Sequence, residues 1–380
     1  MNVHILQFEP GDDLGELEAA WRSIQGTGGV SHPMYSWEWV STWWQVFGSG
    51  RTLLAGVRGD EEGSAAIVPV VHRSAVMNRL FPYERLELLG TGEATRHEVY
   101  SEYVDFPVRP GVGADEVAPA VQRLLHAVEK WGDIVLHRVR RGSVAHEACV
   151  RFAEEAGHSV DELRSGPCHY IELPESADDY LYELSKKRRY QLRRTIRRLE
   201  DLGEVTCERA RSLEDALEVL SDLARLHQER WEALGEAGVF AGDLFPRFHE
   251  EFLRRTFELG WPQLWRVKLD GEPIACRYNL RYEGTVYCYL SGMKLLEDTR
   301  IQPGILAHYR CIEHAIETGA KEYDFMLGDQ HYKESLSNSV RELVSVRICR
   351  NTLKEKLRRG VVSAVRGARK LRPSWLGGED

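Results

Sequence analysis

The chain has 380 residues, 43% hydrophobic and 29% charged, a composition that excludes a disordered or fibrous protein and leads us to expect two globular domains, since single cores stop growing at about 250–300 residues. Its 50 basic and 59 acidic residues give a formal charge of −9, which excludes a general nucleic-acid coat and makes any basic surface local. Seven cysteines, Cys149, Cys168, Cys207, Cys276, Cys288, Cys311 and Cys349, form no CxxC pair, so neither a zinc knuckle nor a disulfide framework is indicated and a reducing compartment is expected.

Met1-Asn2-Val3-His4 opens without a basic and apolar leader, and no apolar run approaches membrane-spanning length; a soluble, cytoplasmic protein is expected. Asp13 to Ile24 reads as a helix with Leu14, Leu17, Ala20, Trp21 and Ile24 on one face. Tyr35 to Trp44 carries four tryptophans whose helical spacing predicts core packing rather than a cofactor box. Leu53–Val57 and Ala65–Pro69 flank a glycine-bearing turn as a hairpin, and a helix from Val117 to Lys130 leads into the strand Asp133–Leu136. The same order recurs later. Leu264–Val267 and Ile274–Tyr278 form a second hairpin, and a helix ending at Gly319 leads into Tyr323–Leu327. Two hairpin-then-crossover units predict a duplicated α/β domain.

Ser165-Gly166-Pro167 and the acidic run from Pro174 to Asp179 mark the boundary, giving domains at 1–165 and 166–350 and a basic tail at 351–380. A helix is predicted from Tyr180 to Leu199, ending near Gly203. Its apolar stripe is Leu181, Leu184, Leu192, Ile196 and Leu199, so cations including Lys187, Arg193, Arg194 and Arg197 occupy the rest of helix 181–199. In an acidic chain this is either an anion site or a solvated basic face. Ser212 and Asp215 start the next helix, which leads to His227-Gln228-Glu229-Arg230-Trp231. His227 reads as a general base or as a core or helix-terminal histidine.

The stretch from Leu280 to Lys333 is the centre of the reading. A strand, Val286–Leu290, runs to a turn at Ser291-Gly292; Pro303-Gly304 opens a helix that stops at Gly319; Tyr323–Leu327 is a strand; Gly328-Asp329-Gln330-His331-Tyr332-Lys333 follows. Strand, loop, helix, strand is a crossover, and the first turn of its helix is where an anion is favoured. Tyr287 and Tyr289 lie mid-strand, and only one is expected to face a ligand. Walker, dinucleotide, H-E-x-x-H and G-x-S-x-G motifs are absent, and no metal site is expected.

This ordered set of a tyrosine-rich strand, Pro-Gly, Tyr-Asp-Phe-x-x-Gly-Asp and Tyr-Lys resembles the second domain of the CelD/BioF2-like acyltransferases, GNAT-fold proteins related to the FemABX aminoacyl-tRNA-dependent peptidyltransferases. The resemblance covers about residues 20 to 350. It implies tandem GNAT-like domains, each a mixed sheet flanked by helices, the first a degenerate copy. It favours the anion reading of the basic helix, because the related families carry a Ser-Lys-Lys/Arg-x-Arg helix there, and it matches His227, Arg230 and Trp231 to a family His-x-x-Arg-Trp segment.

Acyl transfer to an amine needs an anion cradle, an oxyanion stabiliser and a route for a proton. The expected cradle is Gln302, Pro303 and Gly304 with Lys187, Arg193, Arg194 and Arg197. By the resemblance Lys333 faces the carbonyl oxygen. Asp324, Asp329 and Tyr332, with His227, are the candidates for orienting the amine or moving its proton, the alternative for the two aspartates being loop capping. Arg230, Trp231, Tyr287 and Tyr289 are the substrate-binding candidates. Three functions stay open: an N-acyltransferase moving an acyl group from acyl-CoA to an amine, a FemX-like transfer from aminoacyl-tRNA to a small amine or peptide, and a non-catalytic binding module in polysaccharide or envelope assembly. The usual GNAT glycine loop is only shadowed by Arg300 to Ile305. Val340–Val346 reads as a last strand. Beyond it Leu353, Leu357, Val361 and Leu371 recur among Lys354, Lys356 and arginines; this basic helix is expected to dock on the domain, with peripheral contact to an anionic membrane or RNA as the alternatives.

Overall fold

The computed structural model describes residues 2–77, 81–298, 300–353 and 355–356. The chain divides into two compact units, Met1–Ser165 together with the chain from Glu342 onward, and Gly166–Arg341. In order, the elements are β1 (Asn2–Phe8), α1 (Gly15–Gly26), α2 (Trp37–Phe47), β2 (Thr52–Asp60), β3 (Gly63–Met77), β4 (Phe81–Leu88), α3 (Ala114–Ala127), β5 (Asp133–Arg140), α4 (Val144–Glu155) and β6 (Ser159–Glu172). They continue with α5 (Ala177–Glu183), α6 (Lys186–Leu202), β7 (Val205–Arg209), α7 (Leu213–Ala233), α8 (Leu244–Thr256), β8 (Pro262–Leu269), β9 (Glu272–Tyr282), β10 (Thr285–Met293), α9 (Pro303–Glu317), β11 (Glu322–Leu327), α10 (His331–Leu336) and β12 (Ser339–Cys349).

In the first unit β1, β2, β3 and β4 are antiparallel neighbours, β4 runs parallel to β5, and β12 pairs antiparallel with β5. The tryptophan helix α2 starts where Ser36 accepts the Trp39 amide proton, and all four of its tryptophans are buried. The interior here is charged as well as apolar. Arg85 forks onto both oxygens of Asp133 at 3.0 Å, and Arg347 donates to Asp133 at 2.7 Å. Arg73 donates to Glu87 at 2.8 Å while His137 sits 3.1 Å from the same carboxylate. Buried Glu93 accepts from the Trp43 indole and the Val99 amide. Burial pushes its carboxyl up to about 7, and the neighbouring Glu98 carboxylate adds to the shift. Glu98 itself pairs with Arg138.

The second unit repeats the plan: β7, β8, β9 and β10 antiparallel, β10 parallel to β11, and β6 antiparallel to β11. Each unit is thus a mixed sheet flanked by helices, in the same strand order, which is the duplicated α/β architecture expected. One sheet face carries α9, with Ile305, Cys311, Ile312 and Ala315 packed on Val286, Cys288, Tyr323 and Phe325; α5 and α6 join it through Tyr180 and Leu192. Neighbouring strand residues point the other way, toward α7 and α8: Gly292 lies so close that a side chain there would meet Leu223 O at 2.6 Å, and Tyr289 reaches His249.

Three expectations change. The helix predicted from Tyr180 to Leu199 is two helices, because Leu184 is extended and the Ser185 hydroxyl accepts the Arg188 amide proton as a new N-cap. Ser291-Gly292 is not a turn but part of β10, its glycine required by the close approach of α7. The chain from Glu342 to Cys349 joins the first unit, since its strand pairs with β5, whereas the expected second domain ran to 350. Lys333, for which the sequence reading assigns no element, lies on a short helix, α10. The basic tail from Leu357 onward, and Lys354, lie outside the described residues. Among the described residues no helix is long and apolar enough to cross a membrane.

Candidate active site

The ladder between β10 and β11 consists of Thr285–Glu322, Val286–Tyr323 and Tyr287–Asp324. Past that point both strands deviate. β10 shifts register at a bulge between Cys288 and Leu290, and β11 shifts register after Asp324, with Met326 at φ 59°. A bulge releases backbone hydrogen-bonding groups beside the opening it makes, and a non-glycine residue held left-handed marks a constrained position.

On the α9 face a cleft of about 400 Å³ is lined by Ser185, Lys187, Arg188 and Gln191 of the α6 segment, by Gln302, and by His331, Tyr332 and Ser335 of α10. Ser185 and Gln302 are the N-cap residues of α6 and α9, so two helix N-termini, each the positive end of its macrodipole, converge here. Neither has an acidic residue in its first turn. Lys186, Lys187 and Arg188 instead add cations at a positive helix end, an arrangement that repels itself until an anion binds. Arg188 is only 7% exposed; it hydrogen-bonds Ser335, its Nε has no partner, and burial lowers its pKa.

Local bonds fix this geometry. Arg189 donates to the carbonyls of Leu181, Tyr182 and Leu184 and closes the end of α5. Tyr180 donates to Leu336 O at 3.0 Å and so holds α10. Lys333, 7% exposed, donates from Nζ to Leu327 O at 2.7 Å and to Met326 O at 3.3 Å, gathering the carbonyls at the end of β11. Tyr332 packs on the His308 ring at 5.3 Å; burial raises its pKa against the opposing pull of the adjacent Arg277. His308 is fully buried, 3.3 Å from the Tyr323 hydroxyl. Burial keeps it neutral, with Arg277 and Lys333 adding to the effect.

The predicted residues therefore fall into groups. Lys187, Gln302, Pro303, Gly304, Tyr332 and Lys333 come together on the α9 face. Arg193 and Arg197 are exposed on α6, and Arg194 lies over the Tyr190 ring at 5.6 Å. Asp329 is exposed in the loop after β11. Asp324 is fully buried on the opposite face, where Oδ1 accepts the Met326 amide at 2.6 Å and Oδ2 lies 3.9 Å from Arg341; these are the contacts of a strand-end cap. Tyr287 and Tyr289, two residues apart, share that face, which corrects the expectation that only one can point toward a given side. Tyr289 lies 3.1 Å from His249 Nε2, and burial lowers the His249 pKa to about 3.

His227 is also on this side. Its Nε2 accepts the Trp231 indole proton at 2.8 Å, and burial, with Arg230 adding, lowers its pKa to about 4; it is neutral at physiological pH and a poor proton acceptor. Trp231 and Arg230 are exposed beside it. Arg188 belongs to the basic helix that the sequence offers as an anion site, whereas sequence reasoning missed Gln191, Ser335, Arg277 and His308 as site residues. The one signal available was Arg277, a charge in the middle of an apolar strand. Among the described residues no group of three His, Cys, Asp or Glu side chains is placed to hold a metal ion.

Residues 186–334 match the acetyltransferase (GNAT) domain family. This span holds the cleft, the splayed strands and α9. The protein is an acyltransferase enzyme with a GNAT domain, and the reading of a non-catalytic binding module falls away. Among solved structures the chain is similar to FemX, at 13% identity with 93% of this chain and 99% of that one covered and a TM-score of 0.58. It is similar to L-PGS from Bacillus licheniformis at 14% identity, coverage of 98% and 99%, and a TM-score of 0.53. The C-terminal domain of a putative lysylphosphatidylglycerol synthetase from Agrobacterium fabrum gives 10% identity, coverage of 93% and 97%, and a TM-score of 0.53. At these identities the likeness is one of fold. No curated protein matches.

Proposed function

We propose that the protein is an N-acyltransferase of the CelD/BioF2-like kind that takes an acyl group from acyl-CoA and delivers it to an amine of a small molecule or peptide. The observation that carries this is the cleft where the N-termini of α6 and α9 meet with Lys187 and Arg188 and no lining carboxylate; such a place favours phosphates. Gln302, Pro303 and Gly304 cradle the donor, and the acyl carbonyl lies where β10 and β11 part. The amine nitrogen attacks that carbonyl, the carbon–sulfur bond breaks, and the thiolate leaves. Lys333 stabilises the oxyanion, Tyr332 returns a proton to the thiolate, and Asp329, exposed in the loop after β11, takes the amine's proton. His227, Arg230, Trp231 and Tyr289 contact the acceptor from the α7 face.

A second reading, transfer from aminoacyl-tRNA, is supported by the exposed Arg193 and Arg197, which carry the basic surface of α6 beyond the cleft, and by the shared fold of FemX. Thermal melting with coenzyme A and with charged tRNA separates the two, because only a ligand that binds the native state raises the midpoint. A rise with coenzyme A alone supports the first reading, a rise with charged tRNA alone the second, and no rise with either removes both.

A further inference from the structure

We propose that Arg277 is the buried cation of the donor's anion subsite, a positioning residue that holds the first turn of α9 and places a fixed positive charge behind it, so that the cleft favours a diphosphate group. This rests on the reading of the cleft as the donor site. Arg277 stands on β9, is 4% exposed, and donates from Nη2 to Gly304 O at 2.8 Å. Its approach is tight: a side chain at position 304 would meet Nη2 at 3.1 Å and Met293 Sδ at 3.0 Å. Its Nε has no hydrogen-bond partner. The groups around it are the Tyr332 and Tyr323 phenols and the Cys288 and Cys311 thiols; no carboxylate of the described residues pairs with it.

A buried guanidinium without a counter-ion is costly, and this one sits at the positive end of a fifteen-residue helix, where the dipole adds to the penalty. Gln302, the N-cap of that helix, makes no capping bond, and its first turn holds no acidic residue. Neutral His308 and the Lys333 ammonium sit on the same side. The surrounding phenols and thiols favour the charged form of Arg277 against its burial, so a fixed positive charge lies under Gly304 for a bound anion to pair with.

The test is calorimetric titration of the full chain with inorganic pyrophosphate and, separately, coenzyme A, at low and at high salt, for wild type, Arg277→Met and Arg277→Lys. Arg277→Met is expected to weaken both probes by at least about twentyfold, the Coulomb interaction of unit charges roughly 8–10 Å apart at an effective dielectric near 20. The deficit should persist at high salt, since buried charges are screened little. Arg277→Lys should keep most of the affinity. Unchanged affinity in Arg277→Met, or Arg277→Lys binding as poorly as Arg277→Met, overturns the role of Arg277 alone. Wild-type protein that binds neither probe overturns the donor-site reading and this inference with it. Binding of coenzyme A but not pyrophosphate by wild type also overturns it, because the diphosphate is then not what the charge recognises.

Discussion

Both units lay four antiparallel strands beside a parallel crossover strand and close with a sixth, and both carry arginines paired with carboxylates, Arg266 of β8 with Asp215 and Asp222 in the second; what differs is what the most deeply buried arginines meet. In the first unit Arg73 of β3 finds Glu87, and Arg85 and Arg347 share Asp133. In the second, Arg277 of β9 finds a backbone carbonyl, phenols and thiols, and Arg188 finds a hydroxyl. Satisfied charges rigidify a fold, whereas cations left with neutral partners at a cleft are held ready for a ligand. The duplication therefore separates two uses of one architecture, and each can be probed on its own.

The largest effect should come from breaking the closed network. Asp133→Asn leaves Arg85 and Arg347 without their anion, and loss of one partner of a buried pair typically costs about 3–5 kcal/mol; chemical denaturation should show this drop while turnover per folded molecule stays normal. A large fall in turnover of the folded fraction would undo the division of labour. Next comes Lys333→Met, expected to lower the turnover number on the order of a hundred- to a thousandfold with the donor's dissociation constant nearly unchanged. Near-normal turnover would reduce Lys333 to a clamp on the Met326 and Leu327 carbonyls.

Smaller still is the triple change of Arg193, Arg194 and Arg197 to Gln. Because these side chains lie outside the cleft, donor affinity should drop only severalfold and its salt dependence should flatten, an exposed-charge effect. An affinity equal to wild type at every salt concentration would leave that face of α6 without a role. The mildest prediction concerns Glu93, whose folded pKa of about 7 lies above the ordinary carboxyl value of 4.5. The native state then holds a proton that the unfolded chain has lost between these values, so stability falls as pH rises from about 4.5 to 7, by at most about 1.4 kcal/mol per pH unit. Glu93→Gln should flatten that slope in melting temperature against pH; an unaltered slope would assign it to another group.

The hairpins, the crossover helices and the duplication were legible because they rest on local periodicity and short connections. Leu181, Leu184 and Leu192 form so regular a stripe that α5 and α6 read as one helix, and the N-cap at Ser185 that divides them shows only in the structure. The α9 side of the cleft was found through Pro303-Gly304 and Tyr332-Lys333. Of the two readings of Asp324, amine-orienting carboxylate or loop cap, its bond to the Met326 amide fits the second; alternation sends it away from Tyr323 and Phe325, and the face of a strand is decided by which helix covers it. His308 stands at helical spacing between Ile305 and Ile312 on α9; that Tyr323, Arg277 and Lys333 lie near it depends on three other segments. Pairing of β12 with β5 was out of reach for the same reason, since it joins residues about two hundred positions apart.

That last pairing bears on how the protein is made. The first unit is completed only when Glu342 to Cys349 arrives to pair with β5, and the whole of Gly166–Arg341 must be synthesised in between. At about 5–20 residues per second, the nascent first unit waits roughly ten to thirty-five seconds with the apolar edge from Ile134 to Val139 unpaired. An open strand edge of that kind invites pairing with another chain, so the ribosome-bound intermediate, rather than the finished enzyme, is the form most in need of a chaperone.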